Sequence, residues 1–173
     1  GSEIPKQFLL LKDKPIIIHT INAFISTNPK IKIILVLPQD SIQEWKLLCS
    51  KYNFNCPITV VAGGSSRFAS VKNGLQKIEN SNSLVAIHDG VRPLVTQKMI
   101  NVSYELASDK GTAIAATPLK ETIRKIEGVN SRTIDRNQLR SIQTPQTFQT
   151  SLIKNAFGQF KQDQNFTDDA SVA

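Results

Sequence analysis

Leu84-Val85-Ala86-Ile87-His88-Asp89-Gly90-Val91-Arg92-Pro93 is the stretch on which the reading of this chain turns. Its apolar opening, without polar alternation, predicts a short strand buried on both faces of a sheet. The run then breaks off in Asp89, Gly90, Arg92 and Pro93, which sets a carboxylate and a guanidinium at the carboxyl edge of that strand. In open α/β sheets ligands bind beyond that edge. Asp89 and Arg92 are close enough in sequence for both side chains to reach one pocket, and Pro93 stiffens the backbone before the next helix. Mg²⁺ typically takes one or two carboxylates and completes its shell with substrate phosphates, so Asp89 suffices as a protein ligand for it. Taken alone, a strand-end aspartate is equally a turn or helix cap. His88 points to the opposite side of the strand and reads as structural.

Upstream, Ile58-Thr59-Val60-Val61 has strand length and is followed by Ala62-Gly63-Gly64-Ser65-Ser66-Arg67, after which Val71, Leu75 and Ile78 take helical spacing. A strand, glycine turn and helix in this order aim backbone N–H groups and a positive helix end above the sheet. Gly63-Gly64-Ser65-Ser66 is too short for a Walker loop and lacks GxGxxG spacing. Paired glycines allow a ligand close to the backbone, where a base or ribose is read by main-chain groups; an ordinary turn with serine capping is the other reading. Nearer the start, Ile17, Ile21, Phe24 and Ile25 form a helical stripe with Pro15 in its first turn, and Asn28-Pro29 ends it. Ile31 to Leu37 is β-rich and stops at Pro38; Asp40 or Ser41 then caps a helix carrying Ile42, Trp45, Leu48 and Cys49.

Downstream, Thr96 caps a helix bearing Met99, Val102 and Leu106 that closes at Asp109-Lys110-Gly111, and Ala113-Ile114-Ala115-Ala116 is a small-residue strand. Residues 121–126 alternate polar and apolar, turn at Gly128-Val129-Asn130-Ser131 and return through Arg132 to Arg136. That pattern predicts a half-exposed hairpin arm. Gln143-Thr144-Pro145-Gln146 reads as a proline turn, and a last helix runs from a Thr150 or Ser151 cap through Ile153, Ala156, Phe157 and Phe160. Thr167-Asp168-Asp169-Ala170-Ser171 reads as a helix start with acids in its first turn.

Strand and helix patterns thus alternate at short spacing, which predicts an α/β fold: a mostly parallel sheet with helices on both faces and one protruding β-arm, all within a single domain spanning 1–173. Forty per cent apolar residues supply one core. No apolar run approaches membrane-spanning length, and Cys49 and Cys56 lack metal spacing, so the expectation is a soluble protein of the reducing cytoplasm without a membrane partner. The formal charge of +7 comes from scattered lysines and arginines with few aromatics to stack on, which argues against a nucleic-acid partner and suits small phosphorylated ligands. A parallel sheet would ordinarily begin with a strand ahead of Gly1, and Gly1-Ser2 also has the look of a cloning scar.

Six segments in this order resemble the motifs of the 2-C-methyl-D-erythritol 4-phosphate cytidylyltransferase family: Ile4 to Phe8, Gly63 to Val71, His88 to Pro93, Thr133 to Arg136, Gln143 to Gln146 and Thr167 to Ser171. The resemblance spans nearly the whole chain. It implies a Rossmann-like nucleotidyltransferase sheet and transfer of CMP from CTP to the sugar-alcohol phosphate with release of pyrophosphate. It further implies that Asp89 binds Mg²⁺ and the nucleotide phosphates, that Lys6 is catalytic at the α-phosphate, and that Gly63, Gly64, Ser65 and Ser70 line the nucleotide site. Arg92, Thr122, Arg136, Thr144 and Thr167 would hold the acceptor, Arg136 also counting as catalytic. Residues 121–137 would be a dimerisation arm exchanged across a homodimer, so that Thr122 and Arg136 serve the partner's site.

The same resemblance implies a first strand and an arginine-bearing glycine-rich loop before Gly1, and a lysine-bearing tail after Ala173, without which this exact polypeptide is not expected to be active. Ser65 stands where many members carry an aspartate. The alternatives are a ribitol 5-phosphate cytidylyltransferase, which shares these motifs, and a non-catalytic nucleotide-binding module.

Overall fold

Proline, glycine and capping side chains divide the apolar runs into alternating strands and helices. The computed structural model describes residues 4–160 and 166–173, so Gly1-Ser2 lies outside the described residues. A 3-10 turn at Lys6–Phe8 leads into β1 (Leu10–Leu11), which pairs antiparallel with β2 (Lys14–Pro15). Pro15 occupies the N-cap position of α1 (Ile16–Thr27), one residue ahead of the first turn predicted for it. β3 (Ile33–Leu37), α2 (Ser41–Lys51) and β4 (Ile58–Ala62) form a parallel unit in which Ile33 faces Ile58 and Leu37 faces Ala62.

α3 (Arg67–Leu75) starts at Ser66, whose hydroxyl accepts from the Ala69 N–H, and leads to β5 (Leu84–Ile87). α4 (Gln97–Lys110) starts at Thr96, whose hydroxyl accepts from Met99 N–H, and ends at Gly111, where φ of +89° requires glycine. β6 (Thr112–Pro118) follows, then the hairpin of β7 (Ile123–Glu127) and β8 (Asn130–Ile134), then β9 (Arg140–Gln149) and α5 (Thr150–Gln159).

β9 is the main departure from the sequence reading. Where a proline turn is expected, this ten-residue strand runs antiparallel between β5 and β6, the central member of their sheet. Instead of one continuous, mostly parallel sheet, the described strands therefore fall into a parallel pair, β3 and β4, and a separate three-stranded sheet in which β5 and β6 share one direction with antiparallel β9 between them. Proline is normally excluded from central strands because it cannot donate to the ladder. Here the pairing of β9 with β6 jumps from Ile114–Gln146 to Ala116–Ile142, so Pro145, preceded by a cis peptide bond, sits in an irregularity with no ladder partner across from it.

Three apolar clusters hold the layers. Phe8, Ile17, Ile18, Ile21, Leu35, Leu37 and Trp45 join α1 and α2 to β3. Phe68, Leu75, Phe148, Ile153 and Phe157 join α3 and α5 to β9, and Phe24, Val95 and Ile100 join α1 to α4. The helix stripe expected at Met99, Val102 and Leu106 is not the buried one: those residues are 42%, 41% and 47% exposed, while Ile100, Ser103 and Ala107 face inward. Small Ser103 and Ala107 let α4 lie close on the sheet, and Ser103 takes a hydrogen bond from Thr147 of β9 at 3.0 Å.

Thr150 is not a cap but the first residue of α5, fully buried, with its hydroxyl 2.9 Å from that of Ser83. Residues 167–172 form bends and turns rather than the start of a helix: Asp168 Oδ1 accepts from the Ser171 N–H ahead of it, while its Oδ2 and the Asp169 carboxylate are bonded to β9 and α3. No helix among the described residues is long and apolar enough to cross a membrane.

Candidate active site

Strand alternation in β5 decides which side chain goes where. Val85 and Ile87 pack on the α3–α5 cluster, Ala86 on the α1–α4 cluster, so the strand is covered on both faces although its residues are only half-buried. His88 continues the Ala86 face: its ring meets Phe24 edge-on at 5.1 Å and its Nε2 lies 3.0 Å from the Arg92 carbonyl. Burial pushes the His88 pKa below its ordinary value, and its buried Nδ1 has no hydrogen-bond partner among the described residues. The imidazole braces the 88–92 turn, as the sequence suggested. Asp89 continues the other face and lines a cavity of about 390 Å³.

That cavity brings together Asp89, Arg92, Thr144 and Thr167, four of the residues singled out in the sequence. Arg92 Nε donates to Asp89 Oδ2 at 2.7 Å, and its Nη1 donates to Gln143 Oε1. The Asp89 N–H donates to the Thr144 hydroxyl at 3.2 Å, which ties the β5 edge to the irregular part of β9. Arg67, Gln143, Gln146, Asp168 and Ser171 complete the polar lining.

The glycine turn stands beside it on β4. Gly63 N–H donates to the Leu37 carbonyl, Gly64 N–H to Ser70 Oγ at 3.0 Å, and Ser70 Oγ in turn to the Ser66 carbonyl at 2.8 Å. A Cβ on Gly64 would lie 2.4 Å from that of Ala69, and one on Gly63 2.9 Å from Ser70 Oγ. Close approach of α3's own first turn therefore excludes a side chain at Gly64, against Ala69, and crowds one at Gly63, against the Ser70 hydroxyl. Ser65 and Gly64 are left exposed at the tip.

Lys6 is exposed at the start of its 3-10 turn and does not line the cavity. Thr122 and Arg136 do not line it either: both are exposed at the base of the hairpin, where Arg136 Nη1 donates to the Lys120 carbonyl at 2.5 Å. Among the described residues no cluster of three or more His, Cys, Asp or Glu could cage a metal by itself. Among the described residues the hydrogen bond to the Asp89 carboxylate falls on Oδ2 and none on Oδ1, and this single carboxylate lines the cavity, a donor set that fits Mg²⁺ when phosphates supply the rest.

Two residues missed as site components are Arg67 and Gln146. Arg67 closes a two-bond fork on Asp169, at 2.8 and 2.6 Å, from 102 residues away, a pairing with no sequence signal. Burial pushes the Asp169 carboxyl up while the Arg67 fork pulls it back, and the same fork holds Arg67 above its ordinary value; with both oxygens bonded, the two form an ion pair.

This arrangement matches known proteins along its whole length. A family model described as IspD, 2-C-methyl-D-erythritol 4-phosphate cytidylyltransferase, matches residues 1–173. The chain belongs to that family. A 2-C-methyl-D-erythritol 4-phosphate cytidylyltransferase of Azobacteroides pseudotrichonymphae is 46% identical over 98% of this chain and 75% of its own length. The Bacteroides thetaiotaomicron enzyme of the same name is 43% identical over 99% of this chain and 78% of its own. Among solved structures, the 4-diphosphocytidyl-2C-methyl-D-erythritol synthase of Anaerococcus prevotii superposes with a TM-score of 0.85 at 25% identity, covering 99% of this chain and 76% of that one. The cytidylyltransferase of Thermus thermophilus gives 0.79 at 26% identity over 97% and 77%. The Rossmann-like nucleotidyltransferase fold expected from the motifs is thus the fold of the cytidylyltransferase family.

Proposed function

We propose that the protein transfers the cytidylyl group of CTP to 2-C-methyl-D-erythritol 4-phosphate, releasing pyrophosphate, in the synthesis of isoprenoid precursors. The observation that carries this reading is the convergence of Asp89, Arg92, Thr144 and Thr167 on one polar cavity at the carboxyl edge of β5, beside the glycine turn of β4. A phosphate oxygen of the acceptor attacks the α-phosphorus of CTP as the bond to the bridging oxygen breaks and pyrophosphate leaves. Such a step needs alignment and neutralised charge more than covalent help from the protein.

Arg92 and Thr167, with Thr144 behind them, hold the acceptor's phosphate. Gly63, Gly64, Ser65 and Ser70 border the cytidine, and Lys6 neutralises the α-phosphate. Asp89 would hold Mg²⁺, which supplies charge neutralisation on the nucleotide phosphates. Asp89 and Arg92 pair at 2.7 Å at the cavity edge, so the residue that would hold Mg²⁺ and the one assigned to the acceptor's phosphate stand side by side.

The hairpin is assigned as a dimerisation arm within one domain, with Thr122 and Arg136 reaching the partner's cavity. Its support is exposure: Ile126 and Val129 at the arm's tip are 70% and 102% exposed, which leaves apolar surface on the protruding hairpin for a second copy to cover. A cytoplasmic setting belongs to the same reading and is supported by Cys49 and Cys56, both free thiols whose pKa burial raises.

The test is pyrophosphate release by the full-length protein from CTP with either 2-C-methyl-D-erythritol 4-phosphate or ribitol 5-phosphate, with and without a chelator. Turnover of the methylerythritol phosphate, abolished by the chelator, is expected. Preferential turnover of ribitol 5-phosphate overturns the acceptor, and CTP binding without pyrophosphate release overturns the enzyme.

A further inference from the structure

The segment that carries Thr167 has no regular secondary structure among the described residues, so its shape is imposed from outside. Gln146 does much of this. It is 1% exposed; its Oε1 accepts from the N–H groups of Asp169 at 3.0 Å and Ala170 at 2.9 Å, while its Nε2 donates to Asp168 Oδ2 at 3.2 Å and to the Gln143 carbonyl at 3.4 Å. Two N–H donors on one side of the amide and a carboxylate on the other leave a single orientation for it.

From the opposite side Arg67 grips Asp169, which is fully buried. Asp168 is fixed in addition by Ser171, whose N–H donates to Oδ1 at 3.0 Å. Three residues of this turn, Thr167, Asp168 and Ser171, line the cavity with Asp89 and Arg92. Only the carboxylate of this pair is buried, the Arg67 side chain being 41% exposed, and an ion pair that desolvates a carboxylate is a poor way to gain stability. What a two-bond fork adds is direction: it fixes one orientation of Asp169 and hence the placement of its neighbours.

Resting on the cytidylyl-transfer reading, we propose that Gln146 and Arg67 are positioning residues which, acting through Asp168 and Asp169, hold Thr167 in place for the acceptor's phosphate and so set acceptor binding without setting nucleotide binding. Gln146 offers substrate no spare polar group, since both ends of its amide are bonded within the protein. The glycine turn does not depend on the Arg67 side chain, because Ser66 and Ser70 hold it through their own bonds. Nucleotide and acceptor effects therefore separate.

The experiment uses the full-length protein with CTP and 2-C-methyl-D-erythritol 4-phosphate. Gln146→Glu keeps an acceptor for the two N–H groups but turns the donor into a carboxylate oxygen facing Asp168. The KM for the acceptor is expected to rise roughly tenfold, the loss of a hydrogen bond to a charged group, with kcat and the KM for CTP within about twofold. Adding Asp168→Asn reverses the direction of that bond, with Asn as donor, and is expected to bring the acceptor KM back. A rise in both KM values together, a lowered melting temperature with acceptor KM unchanged, or failure of the double variant to recover overturns the proposal.

If Gln146→Glu does not fold, Arg67→Lys, which keeps the charge and loses the fork, takes its place, with a rise of about threefold in acceptor KM expected and no rise overturning it. Calorimetric titration with the sugar phosphate reads the same affinities without turnover. A wild-type protein that binds the sugar phosphate but releases no pyrophosphate overturns the transfer reading alone, and the titration then decides the latch; one that does not bind it overturns both.

Discussion

β5 and β9 lie side by side and meet at the cavity, yet they are built on opposite plans. β5 is Leu-Val-Ala-Ile, apolar throughout and half-buried; β9 contains Gln143-Thr144-Pro145-Gln146-Thr147 and from Thr144 to Phe148 is buried. The more polar strand is thus the deeper one. Burying a polar side chain is unfavourable unless its hydrogen bonds are replaced, and in β9 they are. Thr144 accepts from Asp89, Gln146 is bonded at both ends of its amide, and Thr147 donates to Ser103. β5 delivers one side chain to the site at its end. β9 forms the wall and holds its neighbours by specific bonds, which an apolar strand has no means of doing.

The contrast breaks most visibly if its one large apolar anchor is removed. Phe148 is fully buried among Phe68, Ile153 and Phe157, and Phe148→Ala is expected to cost about 3–5 kcal/mol in urea unfolding. Half-buried Val85, its partner across the ladder, is expected to cost roughly 1–2 kcal/mol as alanine; equal losses would erase the difference in depth. Next comes Asp89→Asn. On the proposed chemistry it lowers kcat by about 100-fold or more in a pyrophosphate-release assay while leaving the melting temperature close to wild type. An unchanged rate would return Asp89 to the role of a turn cap.

A smaller effect sharpens the polar half of the comparison. Thr147→Val keeps shape and removes the donor to Ser103, for an expected loss of about 1 kcal/mol in the same unfolding experiment; a gain in stability would mean that β9 does not need its buried hydroxyls. The smallest at neutral pH is a titration behind β5, which is felt only above about pH 10. Burial pushes Tyr104 up to about 12, against a weaker opposing pull from the Ala86 backbone. The unfolded chain ionises this phenol near its ordinary 10 while the folded chain keeps it neutral, so the Tyr104 contribution is complete below about pH 10 and is lost as pH rises towards 12. Spectrophotometric titration of the folded protein checks it: ionisation of Tyr104 near 10 contradicts its burial.

Much of the site was legible because Asp89 and Arg92 are announced by their own neighbours. An apolar run that stops in Asp-Gly-Val-Arg-Pro can only be a strand end, and alternation along it separates His88 from Asp89 without reference to anything distant. Thr144 and Thr167 were named through motif resemblance, but the reason they reach the cavity was not readable, since the segment around Pro145 looks like a turn and that around Asp168 like a helix start. In both, long-range hydrogen bonds overrode a local preference. The exposed face of α4 was misjudged for a related reason. Met99, Val102 and Leu106 make a plausible apolar stripe, but Ile100, Ser103 and Ala107 make another, and only the sheet beside them selects between the two.

The sequence by itself determined what depends on residues within a turn or two of each other: the alternation of strands and helices, the caps at Ser66 and Thr96, the left-handed glycine at 111, the hairpin arm, and the carboxylate at the end of β5. Only the tertiary structure decided the place of β9 between β5 and β6, the inward face of α4, and the Arg67–Asp169–Gln146 latch. These depend on pairings far apart along the chain, whose free energy exists only once the partners are held together, and no local pattern of hydrophobicity or propensity encodes which partners those are.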